Sequence, residues 1–274
     1  MRGAASLSSL QRIHNVAIDN QTLKLLMNRR STRSYKPEMP DREIVDIIIK
    51  AGQQAPFSSQ LYSVILRTGR VNAYGAPLSF IICLDAYKLK RIMEKRAFTK
   101  HINGISLLLL GIQDSACMAQ NMVIAAESLG LGSCFIGKCG MLPSHTMQLI
   151  KEHHLPKLVL PLVEMVMGFP ADDELPLPRY PISFAIFENT YPELSDEQVE
   201  EAIKTMDEGF IENNYYNKRG QIRLPSHSKY SDESNDDIYS WSEHISRKWS
   251  FFAESQNEIL AILYERGFLL EEDC

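Results

Sequence analysis

The chain has 274 residues, 45% of them hydrophobic, and a formal net charge of -5. That length and composition support a sizeable core in one large domain, or in one domain with a substantial extension. The mild acidity excludes the broad basic surface of a general nucleic-acid binder.

Residues 1–20 have no long apolar stretch, so they do not read as a secretory signal. They are Ser-rich and lack acids until Asp19. An N-terminal tail is expected, with an organellar transit peptide as the alternative. Leu23, Leu26 and Met27 predict a short helix over 20–29. "RRSTRSYK" follows at 29–36, with four positive charges among hydroxyl side chains. Arg29, Ser31 and Arg33 alternate, so in an extended segment all three point to one side. Guanidiniums bind phosphate oxygens bidentately, and a hydroxyl adds a neutral donor. The segment reads as a cradle for one phosphate; a solvated basic loop has the same spacing.

Asp41 is placed to cap a helix with Ile44, Ile47, Ile48 and Ala51 on one face. Ser58, Ser59 and Gln60 then form a polar loop whose groups can bond the edge of a heterocycle. Residues 61–67 and 78–85 read as buried strands, rich in β-branched residues and bounded by Gly and Pro. A long helix is expected over about 104–129, where Ala116, Cys117, Ala119, Ala125 and Ala126 admit another helix closely. Gly130 is its C-cap. "GSCFIG" (132–137) is a short strand between glycines. Gly130, Gly132 and Gly137 let the backbone pass close to a flat ligand. Here the glycines follow a helix and precede a strand, the reverse of the dinucleotide fingerprint.

A helix over 143–153 and a buried strand over 160–170 come next. The proline-rich "ADDELPLPRYP" is extended and frames Arg179 at low entropic cost. Beyond it lie an acidic amphipathic helix (195–210), a polar stretch (225–237) and a last helix (242–266) stopped by Gly267. Helices outnumber strands, and the strands are too few for a doubly wound sheet, so the fold class is α+β. Cys83, Cys117, Cys134, Cys139 and Cys274 are scattered without a C-x-x-C pair, which points to free thiols in a reducing compartment, the cytoplasm. No run of about eighteen continuous apolar residues offers a membrane span. Cys134, Cys139, His145 and His153 or His154 are ligand types, but their spacing fits no zinc pattern, and no metal is expected. No Ser-His-Asp or paired-carboxylate arrangement is visible.

Four stretches together resemble one family. "RRSTRSYK" resembles the R-x-S-x-R opening of the FMN-dependent nitroreductases. "AAESLGLGSCFIG" (125–137) looks like their helix–LGLG–strand segment, and "MGFPADDELPLPRYP" (167–181) like their closing P-R segment. "YYNKRG" (215–220), "SWSEHIS" (240–246) and a final helix resemble the NADPH-using oxygen-insensitive nitroreductases and flavin reductases. The resemblance spans about residues 22–268.

The resemblance implies a mixed, mainly antiparallel sheet flanked by helices, in a homodimer that binds FMN at its interface. It divides the chain into a tail (1–20), an FMN-binding core (21–188) and a C-terminal extension (189–274) that embraces the partner and contacts NAD(P)H. Arg29, Arg30, Ser31 and Arg33 would hold the FMN phosphate and ribityl chain, with Arg179 approaching the same phosphate. Ser58, Ser59 and Gln60 would reach the isoalloxazine from the other subunit. The backbone of Ile136, Gly137 and Lys138 would pass the ring near N5. Arg219 would grip the 2′-phosphate of NADPH. The implied reaction is ping-pong: hydride passes from NADPH or NADH to flavin N5, then to a nitroaromatic, quinone or free flavin. No catalytic side chain is required, because the flavin carries the chemistry. Trp241 and Trp249 would pack against the partner.

The chain departs from the family pattern at four places. Leu177 stands where a lysine is usual, and Arg29-Arg30 replaces the frequent His-Arg. "RTGRVNAYGAP" (67–77) is short and lacks a ring-contacting glutamine. "AESQNE" (253–258) lacks a second NADPH-binding arginine. Two other readings share the FMN cradle: a flavin-binding sensor or store with little NAD(P)H turnover, and another reductase on this fold, such as a dehalogenase.

Overall fold

A computed structural model describes residues 20–69, 72, 74–98, 104–139, 141–222, 239–251 and 256–269. Residues 1–19 of the expected tail, the polar stretch 225–237, the first half of "AESQNE" (253–255) and Cys274 lie outside these residues.

Chain order gives α1 (Gln21–Asn28), α2 (Arg42–Gln53), β1 (Tyr62–Thr68), β2 (Leu78–Asp85), α3 (Tyr87–Lys95) and α4 (Gly104–Ser128). Then come β3 (Gly132–Ile136), α5 (Pro143–Glu152), β4 (Val159–Gly168), α6 (Ile182–Ala185), α7 (Asp196–Glu212), α8 (Tyr215–Arg219), α9 (Trp241–Phe251) and α10 (Gln256–Arg266). The strands pair antiparallel in the order β1-β2-β4-β3. A parallel bridge from Ser31 to Ser133 makes the sheet mixed, as expected.

The sheet has two covered faces, because successive strand side chains alternate. Val64, Leu66, Phe80, Ile82, Phe135, Met165 and Met167 face one way and pack with Val45 and Ile48 of α2 and Met118, Ala119, Met122 and Ala126 of α4. Ile65, Ile81 and Cys83 face the other way, over Cys139 and Leu149. β2 is buried along its whole length, which explains its unbroken apolar run.

α4 is 25 residues long and apolar enough to cross a membrane by length and composition. In this fold it is the central helix of the core, with a buried carboxylate, Asp114, in its middle. Its end follows the predicted C-cap. Gly130 adopts φ +82°, its N–H bonds Glu127 O, and Leu131 N–H bonds Ala126 O. The helix that meets it closely is α2, and the small residue at the crossing is Gly52. A Cβ there would sit 2.6 Å from Met122 Cγ.

Several expectations are corrected. Asp41 makes no side-chain capping bond. The buried face of α2 is Val45, Ile48 and Gly52, whereas Ile47 is 45% exposed. The last helix is described as two pieces, α9 and α10. Ile262 of α10 and Phe268 join this chain's own core beside Leu84 and Leu107. Trp241, partly buried, meets Tyr180 edge-on at 5.5 Å in an aromatic cluster with Phe210, Tyr215 and Tyr216.

Candidate functional site

The arginine segment is sewn across the ends of β3 and β4. Thr32 N–H bonds Ser133 O at 2.8 Å, Lys36 N–H bonds Phe169 O at 2.9 Å, and Ala171 N–H bonds Ser34 O at 3.0 Å. Tyr35 OH donates to Thr32 O at 2.6 Å. Burial, reinforced by Cys134, pushes the Tyr35 phenol far up, so it stays a donor. Gly132 permits this close approach: a Cβ there would lie 2.2 Å from Thr32 Oγ1. Backbone bonds therefore hold the segment against the sheet, with Arg29, Ser31 and Arg33 all near Cys134. All three act on the Cys134 thiol. Burial raises its pKa, while Arg33, a hydrogen bond with Ser31 and Arg29 oppose the rise.

Each guanidinium of the cluster is already met by an acid. Arg29 Nε lies 4.0 Å from Glu127 Oε1. Arg30 pairs with Asp173. Arg33 Nη1 lies 3.3 Å from Glu174 Oε2, and its Nη2 donates to Tyr215 OH at 3.3 Å. Arg219 pairs with the other oxygen of Glu174. Glu127 also accepts from Ser133 Oγ at 3.0 Å; burial raises its pKa against the pull of that bond, Arg29 and Arg30. Burial works to lower the Arg33 pKa, but Cys134, Tyr215 and Glu174 outweigh it and raise it. Four cations thus face three carboxylates, and the cluster keeps a surplus of positive charge for an arriving anion.

Ser58, Ser59 and Gln60 sit elsewhere. Asp114 reaches up from α4 and accepts from Ser58 N (2.6 Å), Ser59 N (3.1 Å) and Leu61 N (2.9 Å). Gln60 takes the left-handed conformation at φ +53°. The three loop residues are exposed and precede β1, on the sheet edge opposite β3. One chain therefore does not bring them to the arginines. Ile136, Gly137 and Lys138 close β3, and a Cβ on Gly137 would meet nothing within 4 Å. That backbone is open to a close approach from outside. Arg179 is exposed and donates to Leu177 O and Pro178 O, both at 2.9 Å, with no carboxylate contact among the described residues.

Two apolar surfaces flank the site. α1 leaves Leu23, Leu26 and Met27 exposed, and α4 leaves Ile105, Leu109 and Ile112 exposed. The α4 stripe borders a groove of about 530 Å³ lined by Ile112, Ala116, Gln120, Phe135 and Leu162 among others.

Sequence reasoning did not single out Glu127, Asp173, Glu174 or Tyr215. The signal for the acids was a charge run, "DDE", in an extended segment beside the predicted Arg179. Their partners are 141 and 143 residues away, so no local pattern pairs them.

Residues 26–71 match the model described as "Nitroreductase family", and residues 178–271 match "Nitroreductase family, C-terminal domain". The FMN reductase (NADPH) of Bacillus subtilis is 30% identical over 217 residues, which cover 73% of this chain and 85% of that protein. The chain belongs to the nitroreductase family. Another member, the oxygen-insensitive NADPH nitroreductase of Salmonella typhimurium, is 30% identical over 90% of this chain and 98% of its own length. Among solved structures, the hypothetical oxidoreductase YcnD of Bacillus subtilis superposes with a TM-score of 0.75 at 28% identity, covering 92% of this chain and 99% of that one. The nitroreductase fold is thus this chain's fold, an α+β sheet flanked by helices.

Proposed function

We propose that this nitroreductase-family chain works as a cytoplasmic homodimer that holds FMN and passes hydride from NAD(P)H to flat acceptors: nitroaromatics, quinones or free flavin. The observation that carries the reading is the arginine cluster at the β3 edge, where Arg29, Arg30 and Arg33 leave a segment bonded to Ser133 and Phe169 and lie beside Glu127, Asp173 and Glu174. The residues present fit the cofactor. Clustered guanidiniums suit a phosphate, and the open backbone at Gly137 suits a flat ring.

When bound, FMN supplies the two-electron chemistry at N5. The chain's own residues do the holding. Arg29, Arg30, Ser31 and Arg33 bind the phosphate, which must draw them away from Glu127, Asp173 and Glu174. Arg179 is free of carboxylates among the described residues and approaches from the proline-rich segment. Ile136, Gly137 and Lys138 offer backbone groups to the ring. Ser58, Ser59 and Gln60 come from the second copy, because in one chain they lie on the far edge of the sheet. The uncovered faces of α1 and α4 supply the apolar surface that such a dimer buries, and the extension 189–274 contributes Arg219 to the dinucleotide.

The test is a visible absorption spectrum of the purified protein before and after anaerobic NADPH. A flavin spectrum that bleaches is expected. A protein that takes up no FMN, even when it is added, refutes the reading.

A further inference from the structure

One carboxylate, Glu174, serves two arginines that the proposed function assigns to two different phosphates. Its Oε2 lies 3.3 Å from Arg33 Nη1, and its Oε1 pairs with Arg219 Nη2. The side chains of Arg33 and Glu174 are only 13% and 22% exposed, so water screens the contact weakly. Tyr215 fixes the arrangement. It begins α8, the helix that ends in Arg219; its OH is 3.3 Å from Arg33 Nη2, and its ring lies 5.6 Å under the Arg33 guanidinium. The core's arginine and the extension's arginine are therefore parts of one charge cluster.

We propose that Glu174 is the shared counter-ion of both anion sites and the residue that biases this chain toward the dinucleotide without a 2′-phosphate. The inference rests on the reading of Arg33 and Arg219 as phosphate ligands. A phosphate on Arg33 places negative charge beside Glu174, and the carboxylate keeps its remaining favourable contact, Arg219. A 2′-phosphate must then displace a like charge from Arg219. A ribose 2′-hydroxyl has no such conflict, because it donates a hydrogen bond to a carboxylate. Glu174 beside Arg219 thus sets the acceptor that favours the plain ribose against the cation that favours its phosphate.

The test compares calorimetric binding of adenosine 2′,5′-bisphosphate and of 5′-AMP to the FMN-loaded protein, as wild type, Glu174→Gln, Arg219→Ala and the double variant. FMN affinity is read separately from flavin fluorescence. Glu174→Gln should raise the preference for the bisphosphate over the monophosphate by roughly tenfold and tighten FMN about threefold, the scale of one partly buried charge contact. The gain in preference should vanish in the double variant. An unchanged preference in Glu174→Gln, with Arg219→Ala weakening the bisphosphate, overturns the role of Glu174 and leaves the phosphate reading intact. If Arg219→Ala leaves the bisphosphate unaffected, the assignment of Arg219 fails, and the inference fails with it.

Discussion

Removing the Asp114 carboxylate should loosen the loop that carries Ser58, Ser59 and Gln60. Asp114 is 2% exposed and accepts three backbone N–H bonds from that loop. In Asp114→Ala the N–H groups of Ser58 and Ser59, in exposed residues, can turn to water. The N–H of Leu61 cannot, because Leu61 is 1% exposed. A stranded buried donor costs about 1–3 kcal/mol, and the two exposed bonds add roughly 0.5–1.5 kcal/mol each, so a loss near 3 kcal/mol is expected. Asp114→Asn keeps one acceptor oxygen, which can stay with Ser59 and Leu61 through the Oδ2 position. Only Ser58 then faces an amide, and a loss of about 1–2 kcal/mol is expected. Urea unfolding followed by far-UV circular dichroism measures both. An Ala variant within about 1 kcal/mol of wild type, or an Asn variant as unstable as the Ala one, would refute the reasoning.

Three other perturbations have defined outcomes. Arg33→Ala should weaken FMN binding by about 1.5–3 kcal/mol, the scale of a charge-assisted hydrogen bond, as read by flavin fluorescence; unchanged retention removes Arg33 from the site. Leu109→Glu puts a charge on the exposed α4 stripe, at a residue that is itself 58% exposed, and light scattering should report a shift of the proposed dimer to monomer; an undisturbed dimer means the interface lies elsewhere. His244 is stacked on Tyr216, and burial, then Lys248, hold its pKa below 6.5. The unfolded chain therefore binds the proton first. This contribution to stability is present above about pH 6.5 and is lost as pH falls from there toward the folded pKa. His244→Asn should flatten the acid side of the stability curve; an unchanged slope assigns it to other groups.

Much of the local structure was legible in the sequence because it is encoded locally. Apolar runs bounded by Gly and Pro gave β1, β2 and β4, and the Gly130 C-cap ended α4 where a left-handed residue was needed. The alternation of Arg29, Ser31 and Arg33 marked that segment, and backbone bonds to Ser133 and Phe169 tie it to the sheet. α3 and α8 carried no comparable signal. They are short and lie beside long-range contacts that no nearby residue announces. The same holds for Glu127, Asp173 and Glu174. A charge run looks alike whether it faces water or a distant arginine, and only chain crossing decides which.

The sequence alone therefore determined which residues could hold a phosphate and the order of the strands and of the longer helices. The tertiary structure decided what those residues meet. It brought Glu174 between Arg33 and Arg219, from 141 and 45 residues away. It set Asp114 beneath the loop at residue 58, and it placed that loop on the opposite edge of the sheet from the arginines. The reason is physical: propensity and periodicity act over a few residues, whereas ion pairs and strand order are fixed only when the whole core closes.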